Sequence, residues 1–550
     1  MLATPEFLVA RPVASLVPVD DRRPALHVLI ASLARGGAER IVLDWLDAEA
    51  RRGRTIELAV LHPRCNAWRA PPGVHLVERG TERPESFVAA LARRWSEGGG
   101  AVGTHLIDDA LLAILWDAGV ATIPTVHNAR LGWRNDPRRW MRPHVPHAIA
   151  CAESVRAELV ESGCPVPAFA LCHTPGTFRS ATDSARRQAL RAAWNVDDST
   201  LLVGAVGAFK PQKDFPRAVE ILGALRRLRP AALAILGGVL DGSQLAELER
   251  TLERVAALDL AAHVKLPVFV DPIGPWYAAC DVLLSASRFE GLSMAVREAL
   301  ASGLPVVALD VGGQSEIAHP RLALLPSNAS SEEVATAFSR LAVRETLVAD
   351  PAPRAPRAWS VACAWHRGED RSVDTLFVTA NLNAGGAQRS LANLAAAIAG
   401  RHAFAVAVCG DTTHGAFAGA LEAAGVRCFR PAPTPDPFAL AESLLVEARR
   451  CGVRTVCFWN ADPRVKLLVA KFLPPGIHLV DACPGAYAFD EMESERAFAA
   501  TITYSVDAYY ERLDTLILKH RAARHPGSRD VRVIPNGVAF AAHQIGRAHV

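Results

Sequence analysis

The sequence predicts an α/β protein made of doubly wound parallel sheets. Short strand-like runs alternate with helical patterns along the 550 residues, which is the order of βαβ units. The runs at 201–206, 233–236 and 282–284 are apolar at almost every position. Continuous apolar runs are typical of strands that helices cover on both faces. We therefore expect Rossmann-like lobes whose ligands bind beyond the carboxyl ends of the strands.

The length and the changes in composition divide the chain into several domains. A chain of 550 residues is long enough for more than one large core. A stretch rich in Pro, Arg and Ala separates a complete two-lobe module from a third lobe. The predicted parts are an N-terminal extension (1–23), a first lobe (24–197), a second lobe (198–345), a linker with a possible returning helix (346–372), a third lobe (373–540) and a tail (541–550).

Composition excludes several classes of protein. The formal net charge is +3, which argues against obligate nucleic-acid binding, although Arg138-Arg139 and Arg226-Arg227 lie either on solvated faces or against anionic lipid headgroups. The 11 cysteines show no spacing typical of zinc, as expected for buried thiols in a reducing compartment. No signal peptide or run of roughly 18–20 apolar residues is recognisable. We expect a cytoplasmic protein, with possible peripheral contact at the inner face of the plasma membrane.

In the first lobe, 27–45 reads as a strand, a loop containing Gly36 and Gly37, and a helix. A short strand then leads into Thr125-Val126-His127-Asn128, and Ala150–Val155 opens another helix. The Gly-Gly loop precedes a helix N-terminus, where free backbone N–H groups attract anions. The glycine loop and His127 are therefore expected at one edge of the first sheet.

In the second lobe, 201–215 forms a strand and a loop with Lys210 and Lys213. The run FEGLSMAVREALASGLPVV then places Glu290 and Glu298 eight positions apart, and a strand at 304–309 follows. We expect a helix that begins near Gly291 and ends at Gly303, with its positive end facing an anion beside Glu290. Eight residues correspond to about 12 Å of helix, so Glu298 would contact another part of an elongated ligand.

These runs resemble the retaining, nucleotide-sugar-dependent glycosyltransferases of family 4, which have the GT-B fold. The family pattern E-G-x6-E-A-x-A-x-G-x-P-V-V is complete here, and 311–316 closes a set of motifs that occur in the family's order over 24–345. The resemblance implies two Rossmann-like lobes with a cleft between them. It also implies transfer of a sugar from a nucleotide donor with retention of configuration, without a metal or any other cofactor.

The resemblance also implies roles for individual residues. Glu290 would contact the transferred sugar, Glu298 the ribose hydroxyls, and Lys213 the diphosphate, whose developing charge needs donors. His127 would lie at the sugar-phosphate edge and Glu316 would cap or line the nucleotide side. The expected catalytic residues are thus Glu290, His127 and Lys213, and the expected donor-binding residues are Gly36, Gly37, Lys210, Lys213, Gly291, Leu292, Ser293, Glu298 and Glu316.

Two positions depart from the family pattern. Ala208 stands where the family has an arginine, and Lys210 would substitute without the bidentate geometry of a guanidinium. The run Cys172–Gly176 replaces the usual I-P-N-G-V, so the hinge between the lobes is expected to differ. Glu39, directly after the glycine loop, either favours the positive end of its helix or acts as a ligand.

After the linker the chain repeats its beginning. Gly385-Gly386-Ala387-x-Arg389 matches the first glycine loop at an offset of 349, and the strands 405–408 and 454–458 and a helix at 506–519 are expected to follow. No counterpart of Glu290 and Glu298 occurs after residue 374, so this third lobe is predicted to be inert. The last six residues, 545–550, look like one reading frame of a sequencing adapter, which predicts a truncated gene model.

The sequence therefore predicts a glycosyltransferase that uses a nucleotide sugar and a glycan or lipid-linked acceptor, in bacterial surface polysaccharide, lipopolysaccharide or glycolipid synthesis. Acceptor selection is expected from the first-lobe loops 62–100 and 128–146. The alternative is a non-catalytic sugar- or nucleotide-binding scaffold of the same fold, which Ala208 and the altered hinge favour. The complete pair of glutamates together with Lys213 favours the enzyme.

Overall fold

The structure is a computed structural model. It describes residues 17–18, 25–65, 67–98, 100–141, 143–173, 184–238, 242–267, 273–340, 357–365, 373–383, 385–410, 416–431, 434–483, 487–518 and 530–534. The contacts divide the chain into two compact units: Ala25–Glu97 with Val102–Pro356, and Arg357–Val550 with Met1–Pro24 and Gly98–Ala101. The first unit holds two parallel sheets and the second unit holds one.

The first lobe is built on a seven-stranded parallel sheet in the order β4-β3-β2-β5-β6-β7-β8. A two-residue strand, β1 (Val17–Pro18), precedes it in sequence and belongs to the third sheet. The strands are β2 (Leu26–Ile30), β3 (Ile56–Val60), β4 (Val74–Glu78), β5 (Ala101–His105), β6 (Ala121–Val126), β7 (Ala148–Ala150) and β8 (Ala168–Ala170). The helices are α1 (Gly37–Ala50), α2 (Pro84–Trp95), α3 (Asp109–Asp117) and α4 (Glu153–Glu161).

The second lobe has a six-stranded parallel sheet in the order β11-β10-β9-β12-β13-β14. Its strands are β9 (Leu201–Val206), β10 (Ala231–Leu236), β11 (Val264–Lys265), β12 (Val282–Ser285), β13 (Val306–Asp310) and β14 (Leu322–Pro326). Its helices are α5 (Ser184–Ala193), α6 (Phe215–Arg226), α7 (Gly242–Ala257), α8 (Gly274–Ala279), α9 (Met294–Ala301) and α10 (Ser331–Arg340).

The apolar strands of this lobe are covered on both faces, as the sequence predicts. Along β9, Leu201 and Val203 point into one hydrophobic core and Leu202, between them, points into the other. This alternation is what a helix layer on each side of a parallel sheet requires. Helix α5 precedes residue 198 but packs against α8, so the second lobe includes it.

The third lobe has an eight-stranded parallel sheet in the order β1-β17-β16-β15-β18-β19-β20-β21. Its remaining strands are β15 (Thr375–Thr379), β16 (Phe404–Val408), β17 (Arg427–Arg430), β18 (Thr455–Trp459), β19 (His478–Cys483), β20 (Thr515–Leu518) and β21 (Val531–Val533). Its helices are α11 (Ala358–Ala362), α12 (Gly386–Ile398), α13 (Ala416–Ala423), α14 (Pro437–Arg450), α15 (Pro463–Phe472), α16 (Tyr487–Ser494), α17 (Arg496–Thr501) and α18 (Val506–Arg512).

The predicted fold class is confirmed: two doubly wound lobes with a cleft between them, and a third Rossmann-like lobe later in the chain. The helix predicted at 506–519 is wrong beyond Arg512, because Thr-Leu-Ile-Leu forms strand β20 beside β19. A helix, α11, forms in the predicted linker, but it packs against α14 and α15 and so belongs to the third lobe instead of returning to the first. The tail at 541–550 and residues 174–176 of the expected hinge lie outside the described residues.

Candidate functional site

A cavity of about 1070 Å³ lies between the first two lobes, at the carboxyl ends of β2, β5, β6 and β9. Four features that the sequence singles out line this one cavity: the Gly36-Gly37 loop, His127, the Lys210–Lys213 loop and the turn at Glu290. Such a position is where open parallel sheets bind their ligands. The cavity is large enough for an elongated ligand such as a nucleotide sugar.

Glu290 accepts hydrogen bonds from three side chains at the cavity. Its side chain is buried, and one carboxylate oxygen accepts hydrogen bonds from Lys213 Nζ at 2.5 Å and from Ser287 Oγ at 2.7 Å. The other oxygen accepts a hydrogen bond from Gln212 Nε2 at 3.2 Å. Glu290, expected at the sugar, and Lys213, expected at the diphosphate, thus form an ion pair. A donor that enters would have to share or replace these contacts.

Gln212 connects the two lobes at this point. Its amide nitrogen also approaches the carbonyl oxygen of Phe289 at 3.1 Å and Asn128 Oδ1, in the first lobe, at 3.4 Å. The sequence reasoning missed Gln212, although it lies between the two lysines it considered. The only feature of the sequence that points to Gln212 is its position directly before Lys213, and this position does not predict contact with Asn128.

Glu298 also lines the cavity but differs from Glu290 in its surroundings. Its carboxylate accepts a hydrogen bond from the hydroxyl of the buried Tyr277 at 2.9 Å. Burial raises the pKa of Glu298 to about 7, while the hydrogen bond from Tyr277 and the charge of Arg40 act in the opposite direction. A carboxylate with this pKa changes its charge near neutral pH.

His127 follows β6 and contacts a second histidine. Its Nε2 lies 3.0 Å from Nδ1 of His105, at the end of β5. Burial, and to a smaller extent the nearby His173, lower the pKa of His127 to about 3. The imidazole is therefore neutral at physiological pH, so it can donate or accept a hydrogen bond but offers no positive charge.

Helix α9 begins later than the sequence predicts. The expected start near Gly291 is wrong: α9 begins at Met294, its N-cap is Ser293, and the preceding residues form the turn that carries Glu290. The helix ends at Ala301, before Gly303, whose φ of +71° is a left-handed conformation that favours glycine. The free amides at the start of α9 accordingly begin about one turn further from Glu290.

Gly291 and Gly37 let the two lobes approach each other. A Cβ at Gly291 would lie 2.4 Å from the carbonyl oxygen of His127 and 2.6 Å from Cys151 Sγ. A Cβ at Gly37 would lie 3.0 Å from Met294 Cγ, at the start of α9. The first contact leaves no room for a side chain, so close packing at this turn requires glycine.

Three predicted donor-binding residues are not among the lining residues. Gly291 and Ser293 flank Leu292 in sequence; Leu292 does line the cavity, whereas Ser293 is buried. The Glu316 carboxylate accepts hydrogen bonds from the backbone amides of Glu153 at 2.8 Å and Ser154 at 2.7 Å. Glu316 thus caps the N-terminus of α4 in the first lobe, so its described contacts are with that helix and its expected role on the nucleotide side stays a prediction.

The cavity also has a tryptophan-rich wall that the sequence did not reveal. Trp133 and Trp140 come from the 128–146 loop, and Trp68 comes from the loop after β3. Aromatic rings of this kind can stack against sugar rings. Arg134 belongs to the same loop, lines the cavity and is exposed. No spacing in the sequence connects these rings, because they meet only when the loops fold.

The repeated glycine loop of the third lobe has the same local structure. Gly385 is the N-cap of α12, as Gly36 is of α1, and both have extended backbones. A Cβ at Gly386, the equivalent of Gly37, would meet no atom within 4 Å. The two loops are therefore alike in conformation but differ in what packs against them.

Within the described parts of the chain, no group of three or more His, Cys, Asp or Glu residues is arranged to hold a metal ion. Nor does any described helix combine the length and apolarity needed to cross a membrane.

Comparison with known proteins finds a family resemblance in the second lobe. Residues 200–343 match the family model described as "Glycosyl transferases group 1". The chain is 34% identical to the lipopolysaccharide core biosynthesis mannosyltransferase LpsB of Rhizobium meliloti, over 28% of this chain and 43% of that protein. It is 32% identical to a GDP-mannose-dependent alpha-mannosyltransferase of Mycobacterium tuberculosis, over 33% of this chain and 45% of that protein.

The chain thus spans less than half of the length of these curated relatives. Among solved structures, a glycosyltransferase of Rickettsia africae has a TM-score of 0.49 and 15% identity, covering 57% of this chain and 88% of that one. The matched segment carries Lys213, Glu290 and Glu298. Over residues 200–343 the chain is therefore similar to group 1 glycosyltransferases.

Proposed function

We propose that the protein is a retaining glycosyltransferase that transfers a sugar from a nucleotide-sugar donor to a glycan or lipid-linked acceptor. The observation that carries the proposal is the convergence of Lys213, Glu290, Glu298 and His127 on one cavity between two doubly wound lobes. The name of one relative, a lipopolysaccharide core biosynthesis mannosyltransferase, supports a role in bacterial lipopolysaccharide synthesis. A cytoplasmic location, peripheral membrane contact and independence of metal stay predictions.

In this proposal the donor extends along the cavity from Glu298 to Glu290. Glu298 accepts hydrogen bonds from the ribose hydroxyls, and the N-terminus of α9 together with Lys213 and Lys210 receives the diphosphate. Negative charge grows on the diphosphate as the anomeric bond breaks, so these donors stabilise the transition state more than the ground state. Glu290 contacts the transferred sugar, beside the developing positive charge, and neutral His127 hydrogen-bonds at the sugar-phosphate edge.

Retention follows from front-face substitution, for which the family resemblance is the support. The acceptor oxygen approaches on the side from which the phosphate leaves, and the leaving phosphate oxygen takes the proton of the acceptor hydroxyl. The anomeric carbon–oxygen bond to phosphate breaks as the bond to the acceptor forms. No side chain acts as a covalent nucleophile.

The second candidate function is a scaffold that binds nucleotide sugars without turning them over. Ala208 lines the cavity where the resemblance leads one to expect an arginine, which favours this alternative. The test uses the full chain with labelled UDP-, GDP- and ADP-sugars, with and without EDTA, and compares it with Glu290→Ala and Lys213→Ala. We expect hydrolysis or transfer by the wild type alone. If all three proteins bind the donor and none turns it over, the scaffold is the correct function.

A further inference from the structure

Glu39 is a buried acid in the cavity with no role in the donor site. It is in the first turn of α1, its side chain is 8% exposed, and it lines the cavity. The carboxylate folds back over the preceding loop, so that a Cβ at Gly36 would lie 2.2 Å from Glu39 Oε2. The side chain thereby covers the start of its own helix.

The third lobe contains a natural comparison for this position. Gln388 follows Gly385 as Glu39 follows Gly36, and it is 9% exposed. A Cβ at Gly385 would lie 2.5 Å from Gln388 Oε1, so this side chain folds back in the same way. Gln388 also donates a hydrogen bond to Asn381 Oδ1 at 3.1 Å. The loop and helix therefore form equally well around a neutral amide.

Because the fold does not require a charge at position 39, folding alone does not explain why a carboxylate lies in the cavity. Burial raises the pKa of Glu39, although its own backbone amide and the charges of Lys210 and Arg134 act in the opposite direction. A buried carboxylate costs free energy unless it is paired or hydrogen-bonded. A ligand with hydroxyl groups would supply such hydrogen bonds.

The two helix N-termini that meet in the cavity differ in charge. The first turn of α9 has no acidic residue and no side-chain cap, whereas the first turn of α1 has Glu39. A diphosphate is attracted to the positive end of α9 and repelled by the carboxylate at α1, so this arrangement disfavours the donor-binding role expected of Gly36 and Gly37 from the sequence. The α1 end is therefore suited to a neutral, hydroxyl-rich group.

We propose that Glu39 binds the acceptor by accepting a hydrogen bond from a hydroxyl of a neutral, polyhydroxylated sugar, and that its charge keeps phosphate away from α1. This inference rests on the proposed function, because it assigns the acceptor side of the same cavity. Glu39 takes no proton in the reaction. Trp68 and Trp133, from the neighbouring loops, line the cavity beside it and offer rings for stacking.

The test measures binding of neutral methyl glycosides to the full-length protein by saturation-transfer NMR, using the methyl glycosides of glucose, galactose and mannose. Glu39→Gln is the variant, and Gln388→Glu is the matched control in the third lobe. Loss of a charged hydrogen bond predicts affinity about tenfold weaker in Glu39→Gln and unchanged in Gln388→Glu. Wild-type binding should also weaken as the pH falls and Glu39, which the charges of Lys210 and Arg134 influence, is protonated; Glu39→Gln should lack this dependence.

Inorganic pyrophosphate is the second probe, since Glu39→Gln should bind it more tightly than the wild type does. Equal glycoside affinity in wild type and Glu39→Gln overturns the inference, and so does a wild type that binds none of the glycosides. Parallel titration with UDP-, GDP- and ADP-sugars distinguishes failure of this inference from failure of the proposed function. Failure to bind any nucleotide sugar, with Glu39-dependent glycoside binding intact, contradicts the proposed function; Glu39 then remains a site for neutral sugars but not for an acceptor.

Discussion

The proposed role of Glu298 in binding the donor has a cost in protein stability. Its pKa rises from 4.5 to about 7 on folding, so the folded protein holds a proton that the unfolded chain has lost between these values. The free energy of unfolding therefore falls as the pH rises from about 4.5 to about 7, and stays low above that. Each unit of pKa shift corresponds to about 1.4 kcal/mol, which limits the loss to about 3 kcal/mol.

We predict that Glu298→Gln raises the Tm of the ligand-free protein at pH 8 and changes it little at pH 5, because glutamine avoids a buried charge and still accepts the Tyr277 hydrogen bond. The same change should weaken donor binding at pH 8. Thermal unfolding at the two pH values measures the first effect, and donor titration measures the second. Glu249→Gln, on the exposed side of α7, is the control. An equal Tm shift at both pH values would contradict this assignment.

The ion pair of Lys213 and Glu290 gives a second prediction at this scale. Their side chains are 21% and 6% exposed, so removing the lysine leaves a buried carboxylate with its charge unbalanced. Lys213→Met should cost about 2 kcal/mol of stability, and Glu290→Gln in the same chain should recover part of it. A double-mutant cycle by urea unfolding measures the coupling. Additive effects of the two substitutions would show that the pair is not coupled.

At the scale of elements, the turn before α9 fixes how closely the lobes approach. Gly291→Ala should separate the Glu290 turn from the His127 loop, because the added methyl group has no space. We expect at least a tenfold loss of activity and a lower Tm. Gly223→Ala is the matched control, because a Cβ at Gly223, within α6, would lie 3.7 Å from its nearest atoms. The substitution should stabilise the helix by about 0.5–1 kcal/mol. Equal behaviour of the two variants would disprove the close approach.

The sequence predicted the strands of the second lobe well because each run is apolar at almost every position and helices cover both faces of the sheet. It failed where an apolar run closely follows a helix: Thr515–Leu518 continues the helical pattern of α18 in sequence, but pairing with β19 makes it a strand. The sequence analysis also placed the start of α9 too early, because the sequence alone does not distinguish the Glu-Gly turn from the helix N-cap. Contacts across the cleft, such as that of Gln212 with Asn128, had no sequence signal at all.

At the scale of the whole chain, two similar glycine loops are expected to differ in function. Gly37 packs against Met294 at the start of α9, whereas its equivalent Gly386 has open space around its missing Cβ. We predict that Gly37→Ala lowers donor turnover severalfold and that Gly386→Ala leaves it unchanged. Steady-state kinetics on the full chain check this. A comparable loss in both variants would mean that the third lobe takes part in the reaction.

The central claim is that the chain has one donor site, located between the first two lobes. Hydrogen–deuterium exchange of the full chain with and without UDP-, GDP- and ADP-sugars measures this most directly. We predict that at least one donor slows exchange at 207–215 and 289–301, and that none slows it at 385–398. Protection of 385–398, or binding without protection of the first two segments, would contradict the claim.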